Sequence, residues 1–299
     1  RGTFCSEMAR RTGETKNIAV VTTYLSDYIF PRVIQGIDKV LTENGYSILL
    51  KNTRNSRNME AKCLEELLQK GIDGLIIEPS KSQIFCKHIN LYQTLDEYRI
   101  PYVFIQGSYA QLAEKPHILL DDCLGGYLVT RYLISLGHRS IGYVGDCYNE
   151  ARYRGYLEAL HKHDMEPEAA YIMQTGQTEA EGYEAMQKFL QSEDRPTGIY
   201  CANDITAIGM LKYLGTNKNR YYVPSIIASD DIEEAQYTRP MLTTVALPKE
   251  EMGKFALYLL IDRMRGGHKS VVRTELEGKL MIRNSCTAAD EGGWSDYCI

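Results

Sequence analysis

The chain has 299 residues, long enough for two lobes rather than one core, and its 44% hydrophobic and 24% charged residues suit a globular protein. The net charge is −5 and no dense basic block runs along the body, so the body itself is not read as a nucleic-acid surface. No apolar run approaches the ~18–20 residues that span a bilayer. Arg1, Glu7, Arg10 and Arg11 stand where a signal peptide would need its apolar stretch, so a cytoplasmic location without a membrane partner is expected.

From residue 17 onward, short apolar runs alternate with helical stripes. Asn17–Thr22 is apolar and β-branched and predicts a buried strand. Val33, Ile34, Ile37, Val40 and Leu41 have helical spacing, with Gly45 placed to end the helix. A strand is expected over residues 46–50, then a helix bearing Cys63, Leu64, Leu67 and Leu68 that stops at Gly71. Residues 74–78 predict a third strand, and residues 102–106, behind Pro101, a fourth. Asp122 is placed to cap a helix running to Leu136, and residues 141–146 predict the next strand. Helices over about residues 152–163, 179–191 and 205–214 then lead to strands at 171–173, 198–201 and 225–230.

Strands alternating with helices predict an α/β fold of parallel sheets covered on both faces by right-handed crossovers. Eight or nine such units overfill one open sheet, so two doubly wound lobes are expected, with a break near residues 119–122. In such sheets ligands sit beyond the carboxyl ends of the strands. Tyr24 and Asp27 follow the first strand, Glu78 and Lys81 the third, and Gln106 the fourth; Asp146, Asn203-Asp204 and Asp230-Asp231 follow strands in the second half. Any one of them caps the next helix as readily as it binds a ligand. As a set, on two sheets with facing polar ends, they describe a cleft.

The eight cysteines (Cys5, Cys63, Cys86, Cys123, Cys147, Cys201, Cys286, Cys298) are scattered, with no CxxC pair and no Cys/His cluster. Reduced thiols are expected, with no structural zinc, disulfide or cofactor. There is no GxGxxG after Thr22, no GxxxxGK[ST] and no GxSxG, and His138, His161 and His163 lack a recognisable Ser or Cys partner, so no enzyme is expected.

Several segments resemble the effector-binding domain of the lactose/galactose repressor family (LacI/GalR), itself related to periplasmic sugar-binding proteins. They are Leu136-Gly-His-Arg-Ser-Ile-Gly-Tyr-Val-Gly145, Arg152-Tyr-Arg-Gly-Tyr156, and Cys201-Ala-Asn-Asp204 with Ala207 and Gly209. Ser229-Asp-Asp231, Pro240-Met-Leu-Thr-Thr-Val245, Met252-Gly253 and Ile282-Arg-Asn-Ser285 continue the same order along about 270 residues. Thr22-Thr-Tyr-Leu-Ser-Asp-Tyr-Ile-Phe-Pro31, Glu78-Pro-Ser-Lys-Ser82 and Ser108-Tyr-Ala-Gln-Leu-Ala113 look like the arabinose-responsive branch, which joins a GntR-type winged-helix head to this kind of body. Arg1-Gly-Thr-Phe4 resembles the last wing strand of such a head, which makes residues 1–16 the end of a head plus linker.

The resemblance implies a periplasmic-binding-protein-like pair of lobes joined by three crossovers. One would hold residues 17–119 and 248–276, the other residues 120–247 and 277–299. It implies a homodimeric transcriptional repressor that takes a pentose, L-arabinose foremost, between its lobes and so controls operator DNA through the N-terminal head. The amphipathic stretches 33–41 and 59–69 are candidate dimer surface. The alternative on the same fold is a transport-type sugar-binding protein, which predicts an export signal and few cysteines.

The resemblance also places sugar contacts at Arg152, Asn203 and Asp230. Arg152 offers a planar fork for two adjacent oxygens, Asp230 accepts from hydroxyls, and Asn203 both donates and accepts. Gln106 stands where relatives carry an Asp. Asp27 and Phe30 match a polar contact and a stacking ring, with Tyr28 the other candidate ring and Phe30 then core. Tyr24, Glu78 and Lys81 rest on the arabinose branch, and a Glu–Lys pair also reads as a surface ion pair. Two positions depart from the pattern: Gln177 cannot stack as an aromatic wall does, and Leu247 cannot hydrogen-bond. The segment 215–224 is longer than usual, and the acidic, Gly-rich tail after Ala288 has no assigned role.

Overall fold

The computed structural model describes residues 14–24, 29–148, 150–217 and 222–290. In chain order the first elements are β1 (Asn17–Thr22), α1 (Phe30–Asn44), β2 (Ser47–Asn52), α2 (Arg57–Lys70), β3 (Gly74–Ile77), α3 (Ile89–Glu97), β4 (Tyr102–Ile105) and β5 (His117–Leu120). There follow α4 (Asp122–Ser135), β6 (Ile141–Gly145), α5 (Ala151–Lys162), β7 (Ile172–Gln174), α6 (Glu179–Gln191), β8 (Gly198–Cys201), α7 (Asp204–Asn217), β9 (Ser225–Asp230) and β10 (Thr243–Ala246). Helix α8 (Lys249–Met264), β11 (Arg273–Leu276) and β12 (Lys279–Met281) close the order.

The chain divides into two compact units. The first takes the residues up to Leu119 together with Lys249–Thr274, the second Leu120–Pro248 with the residues from Glu275. Each contains a six-stranded sheet, ordered β11-β5-β4-β3-β1-β2 in the first and β12-β10-β9-β8-β6-β7 in the second. Both are doubly wound α/β sheets, as the alternation of elements predicts. Strand β1 lies parallel to β2 and β3, with Val20 opposite Leu50 and Ile76, and β6 likewise lies parallel to β7 and β8. The chain therefore reverses its direction of winding between β1 and β3 and again between β6 and β8. These reversals open crevices at the carboxyl ends of the strands.

The central strands are continuous apolar runs because helices cover both faces. Ile18, Ala19, Val20 and Val21 in β1 and Leu75, Ile76 and Ile77 in β3 are wholly buried. The inward stripes of α1 and α2 (Val33, Ile37, Val40 and Leu41; Cys63, Leu64, Leu67 and Leu68) are also buried within the first unit. These apolar stripes are thus spent on the core of the first unit. Three helix pairs touch backbone to backbone through reciprocal glycines. A Cβ at Gly36 would strike Glu250 and one at Gly253 would strike Val33, fixing α1 on α8; Gly126 and Gly155 do the same for α4 and α5, and Gly182 and Gly209 for α6 and α7.

Two expectations need correction. The cap of α4 is Asp121, whose carboxylate accepts from the Leu124 N–H at 2.8 Å, while Asp122 falls inside the first turn and is released for another partner. The second sheet is not purely parallel: β12 returns antiparallel to β10, with Val245 opposite Leu280.

Candidate functional site

In the second unit, the first turn of α5 sets Arg152 against the carboxyl ends of β8 and β9. Its Nε donates to Asp122 Oδ1 at 2.9 Å, its Nη2 to Asp230 Oδ1 at 3.0 Å and its Nη1 to the Ala202 carbonyl at 2.5 Å. The guanidinium side chain is only 11% exposed. Burial works against its charge, and the two carboxylates reverse that and hold it firmly protonated. One guanidinium therefore bridges two carboxylates at the strand ends.

Asn203 lies beside this group and is 2% exposed. Its Oδ1 caps α7 by accepting from the Thr206 N–H at 2.8 Å, so the helix-cap reading holds for the oxygen. Its Nδ2 is buried with no hydrogen-bond partner among the described residues, which is costly unless a ligand supplies an acceptor. Asp204, paired with it in the sequence, has a different role. Its carboxyl takes the Ile232 N–H at 2.9 Å and lies 2.5 Å from the Thr244 hydroxyl, tying α7 to the ends of β9 and β10. Burial first, and the charge of Asp230 second, push its carboxyl up to about 8. Asp230 and Asp231 both adopt left-handed backbone angles, at φ 119 and 48. Arg283, just after β12, holds this turn by donating to Asp231 Oδ1 at 2.5 Å. The other strand-end acid, Asp146, is engaged by the Tyr148 N–H at 2.8 Å and by Gln174 Nε2 at 3.0 Å. Gln177 is exposed, and Leu247 packs partly buried against the core of this unit.

In the first unit, Glu78 follows β3 and accepts from the Thr22 hydroxyl at 3.0 Å and the Thr23 N–H at 2.9 Å, which ties the ends of β1 and β3 at the crevice. Lys81 has a left-handed backbone, at φ 50, and its N–H donates to Asn55 Oδ1 at 2.8 Å. Lys81 and the exposed Tyr24 line an open hollow of about 420 Å³ with Arg54, Asn55, Ser56, Arg57 and Asn58. Gln106 is half-buried after β4, at φ 60, with its N–H given to the Ile118 carbonyl at 3.1 Å. Phe30 is 3% exposed in the first turn of α1, which makes it a core ring rather than an open wall. Asp27 and Tyr28 lie outside the described residues.

The structure thus joins Arg152, Asn203 and Asp230 in one centre, and Tyr24, Glu78 and Lys81 around the β1–β3 crevice. Sequence reasoning gave Asp122 only a capping role, because an Asp before a helix reads as its cap. The doubled Asp121-Asp122 was the available signal, since only one of the two can cap. His138 is a buried tie at the opposite, amino ends of the strands: its ring meets Thr197 Oγ1 at 2.9 Å and Ser225 Oγ at 3.0 Å, and burial pulls its pKa down. Among the described residues no three His, Cys, Asp or Glu side chains group as a metal site, and no helix is long and apolar enough to cross a membrane.

Known proteins supply a second, independent comparison. Residues 130–286 match the family described as periplasmic binding protein-like domain. The arabinose metabolism transcriptional repressor of Halalkalibacterium halodurans is 36% identical, over 96% of this chain and 81% of that protein. The repressor of the same description from Geobacillus stearothermophilus is 38% identical, over 95% of this chain and 80% of its own length. Among solved structures, a LacI family transcriptional regulator from Enterococcus faecium with bound ribose aligns at a TM-score of 0.78 and 26% identity, covering 91% of this chain and 99% of that one.

Proposed function

The chain belongs to the LacI family of transcriptional repressors, of which it carries the periplasmic-binding-protein-like ligand-binding domain, and from that membership we propose that its effector is a pentose, L-arabinose first. The observation that carries the proposal is the Arg152 centre. Its two carboxylates accept from sugar hydroxyls, and the unpartnered Nδ2 of Asn203 needs an oxygen acceptor. A hydroxyl group meets both demands at once, donating its proton and accepting on its oxygen. Tyr24, Glu78, Lys81 and Gln106 in the first unit are the proposed second set of contacts, with Asp27 added by the sequence pattern.

The choice of a pentose rests on the names of the relatives, two of which regulate arabinose metabolism, and on the ribose held by the Enterococcus faecium regulator. Effector binding controls operator DNA only through different affinities for two forms of the protein. Reversing a 1:99 population takes roughly 5.5 kcal/mol of such preference, within reach of several charge-assisted hydrogen bonds. Two copies of the chain, each with its own head, complete the proposed repressor.

Calorimetric titration against a panel of pentoses and hexoses tests the reading. L-arabinose should give the tightest binding, and Arg152→Ala should weaken it at least about thirtyfold, since truncating one member of a desolvated charge pair costs ~2–5 kcal/mol. The variant's circular dichroism should stay that of the parent. Tight binding retained in a folded Arg152→Ala protein would show that the site lies elsewhere.

A further inference from the structure

Helix α2 directs a carboxylate into the core of the first unit. Glu60 is 0% exposed and falls on the same stripe as the buried Leu64 and Leu67, where a leucine would complete the apolar face. It is instead surrounded by donors. The Ser80 N–H lies 2.5 Å from Oε2, and the Tyr92 hydroxyl and His88 Nε2 lie 2.6 and 2.7 Å from Oε1. The Tyr109 hydroxyl sits 3.0 Å from Oε1 and 2.8 Å from the Ser80 carbonyl, sharing its one proton between them. Burial pulls the His88 ring down, and Cys86 and Glu60 more than offset this, raising it to about 9, so the ring brings a compensating positive charge. Removing one member of such a set strands the rest without water.

Every polar group of Ser80 is held by this set and its neighbours. Its N–H goes to Glu60, its carbonyl takes Tyr109, and its hydroxyl meets Thr53 Oγ1 at 2.7 Å. Ser80 lies between Glu78, anchored on Thr22 and Thr23, and Lys81, anchored on Asn55 at a left-handed angle. The segment that carries two proposed effector contacts is therefore fixed from below at its middle residue.

We propose that Glu60 is a positioning residue for effector binding, acting through Ser80 to hold Lys81 in the orientation that meets the sugar. This rests on the pentose reading given above. Glu60 touches no ligand; it sets the loop geometry that does.

A double-mutant cycle read by calorimetry with L-arabinose tests it. Glu60→Gln keeps the shape but removes the charge that draws the four donors, and should weaken binding about tenfold or more, within the range of coupled neighbours. In a Lys81→Ala background the same change should add less than about twofold, because the contact it positions is already gone. Conservative Glu60→Asp should recover part of the affinity. Unchanged affinity in Glu60→Gln, or an equal loss in both backgrounds, would overturn the assignment and leave Glu60 a structural residue only. Should Glu60→Gln fail to fold, Tyr109→Phe keeps the ring, removes the shared hydroxyl and takes its place in the cycle. It should weaken binding in the parent protein and add almost nothing beside Lys81→Ala; no loss, or an equal loss in both, overturns the assignment as before. Failure of the wild-type protein to bind L-arabinose would instead refute the pentose reading, and the role of Glu60 with it.

Discussion

Asp204 is a single acid whose surroundings decide its protonation. Buried beside Asp230, its carboxyl is raised from 3.8 to about 8, so it stays protonated at neutral pH, while its oxygens accept from the Thr244 hydroxyl and the Ile232 N–H. The unfolded chain gives up that proton near 3.8, so the stability attached to it is complete below that pH and lost as the pH climbs toward 8. Asparagine is a neutral side chain of the same shape whose oxygen can still accept from the Ile232 N–H. Asp204→Asn should therefore flatten the fall of unfolding free energy between pH 4 and 8 by on the order of 1–3 kcal/mol, measured by urea titration. An unchanged slope would mean that Asp204 is ionised in the fold. Asp122, set free by Asp121 taking the cap, is paired with Arg152.

At the scale of elements, the Arg152 centre depends on how closely two helices approach. A Cβ at Gly126 on α4 would collide with the carbonyl of Arg152 itself, so the missing side chain lets the first turn of α5 reach Asp122. Gly126→Ala should force that turn outward, lowering stability by about 1–3 kcal/mol despite alanine's better helix propensity. It should also weaken sugar binding. Gly36→Ala, at the α1–α8 contact of the first unit, should cost similar stability in a denaturant melt while leaving calorimetric affinity within about threefold. Equal affinity losses for the two would break the link between that approach and the site. Burial also explains which elements were legible in the sequence. Strands β1, β3, β8 and β9 were readable because both faces are covered and the apolar run is unbroken. Edge strands β11 and β12 were not, since Arg273–Leu276 and Lys279–Met281 alternate partly covered and exposed residues with no apolar run. Helix α8 escaped notice because the exposed Phe255 and Tyr258 carry apolar character onto its outer face and blur the stripe of Met252, Ala256, Leu257 and Leu260, and α3 because nine residues bury only Tyr92 and Leu95. For the site, family-like segments pointed to Arg152, Asn203 and Asp230, but no spacing rule led to the core carboxylate of Glu60.

At the scale of the whole molecule, neither unit is a continuous stretch of chain. The first is completed only by α8, which lies against α1 through Gly36 and Gly253 and against β3, where Leu260 sits close over Gly74. A chain ended after Pro248 should therefore expose the inward faces of α1 and β3, bind a hydrophobic dye and lose protease resistance up to Leu119. Resistance equal to that of the whole chain would contradict this. On the ribosome the same arrangement imposes a wait. At roughly 5–20 residues per second, several seconds of synthesis separate β5 from the helix that seals the first lobe. During that interval the nascent lobe is a client for whatever shields sticky surfaces in the cell, and the residues made after Pro248 decide whether those up to Leu119 ever become watertight.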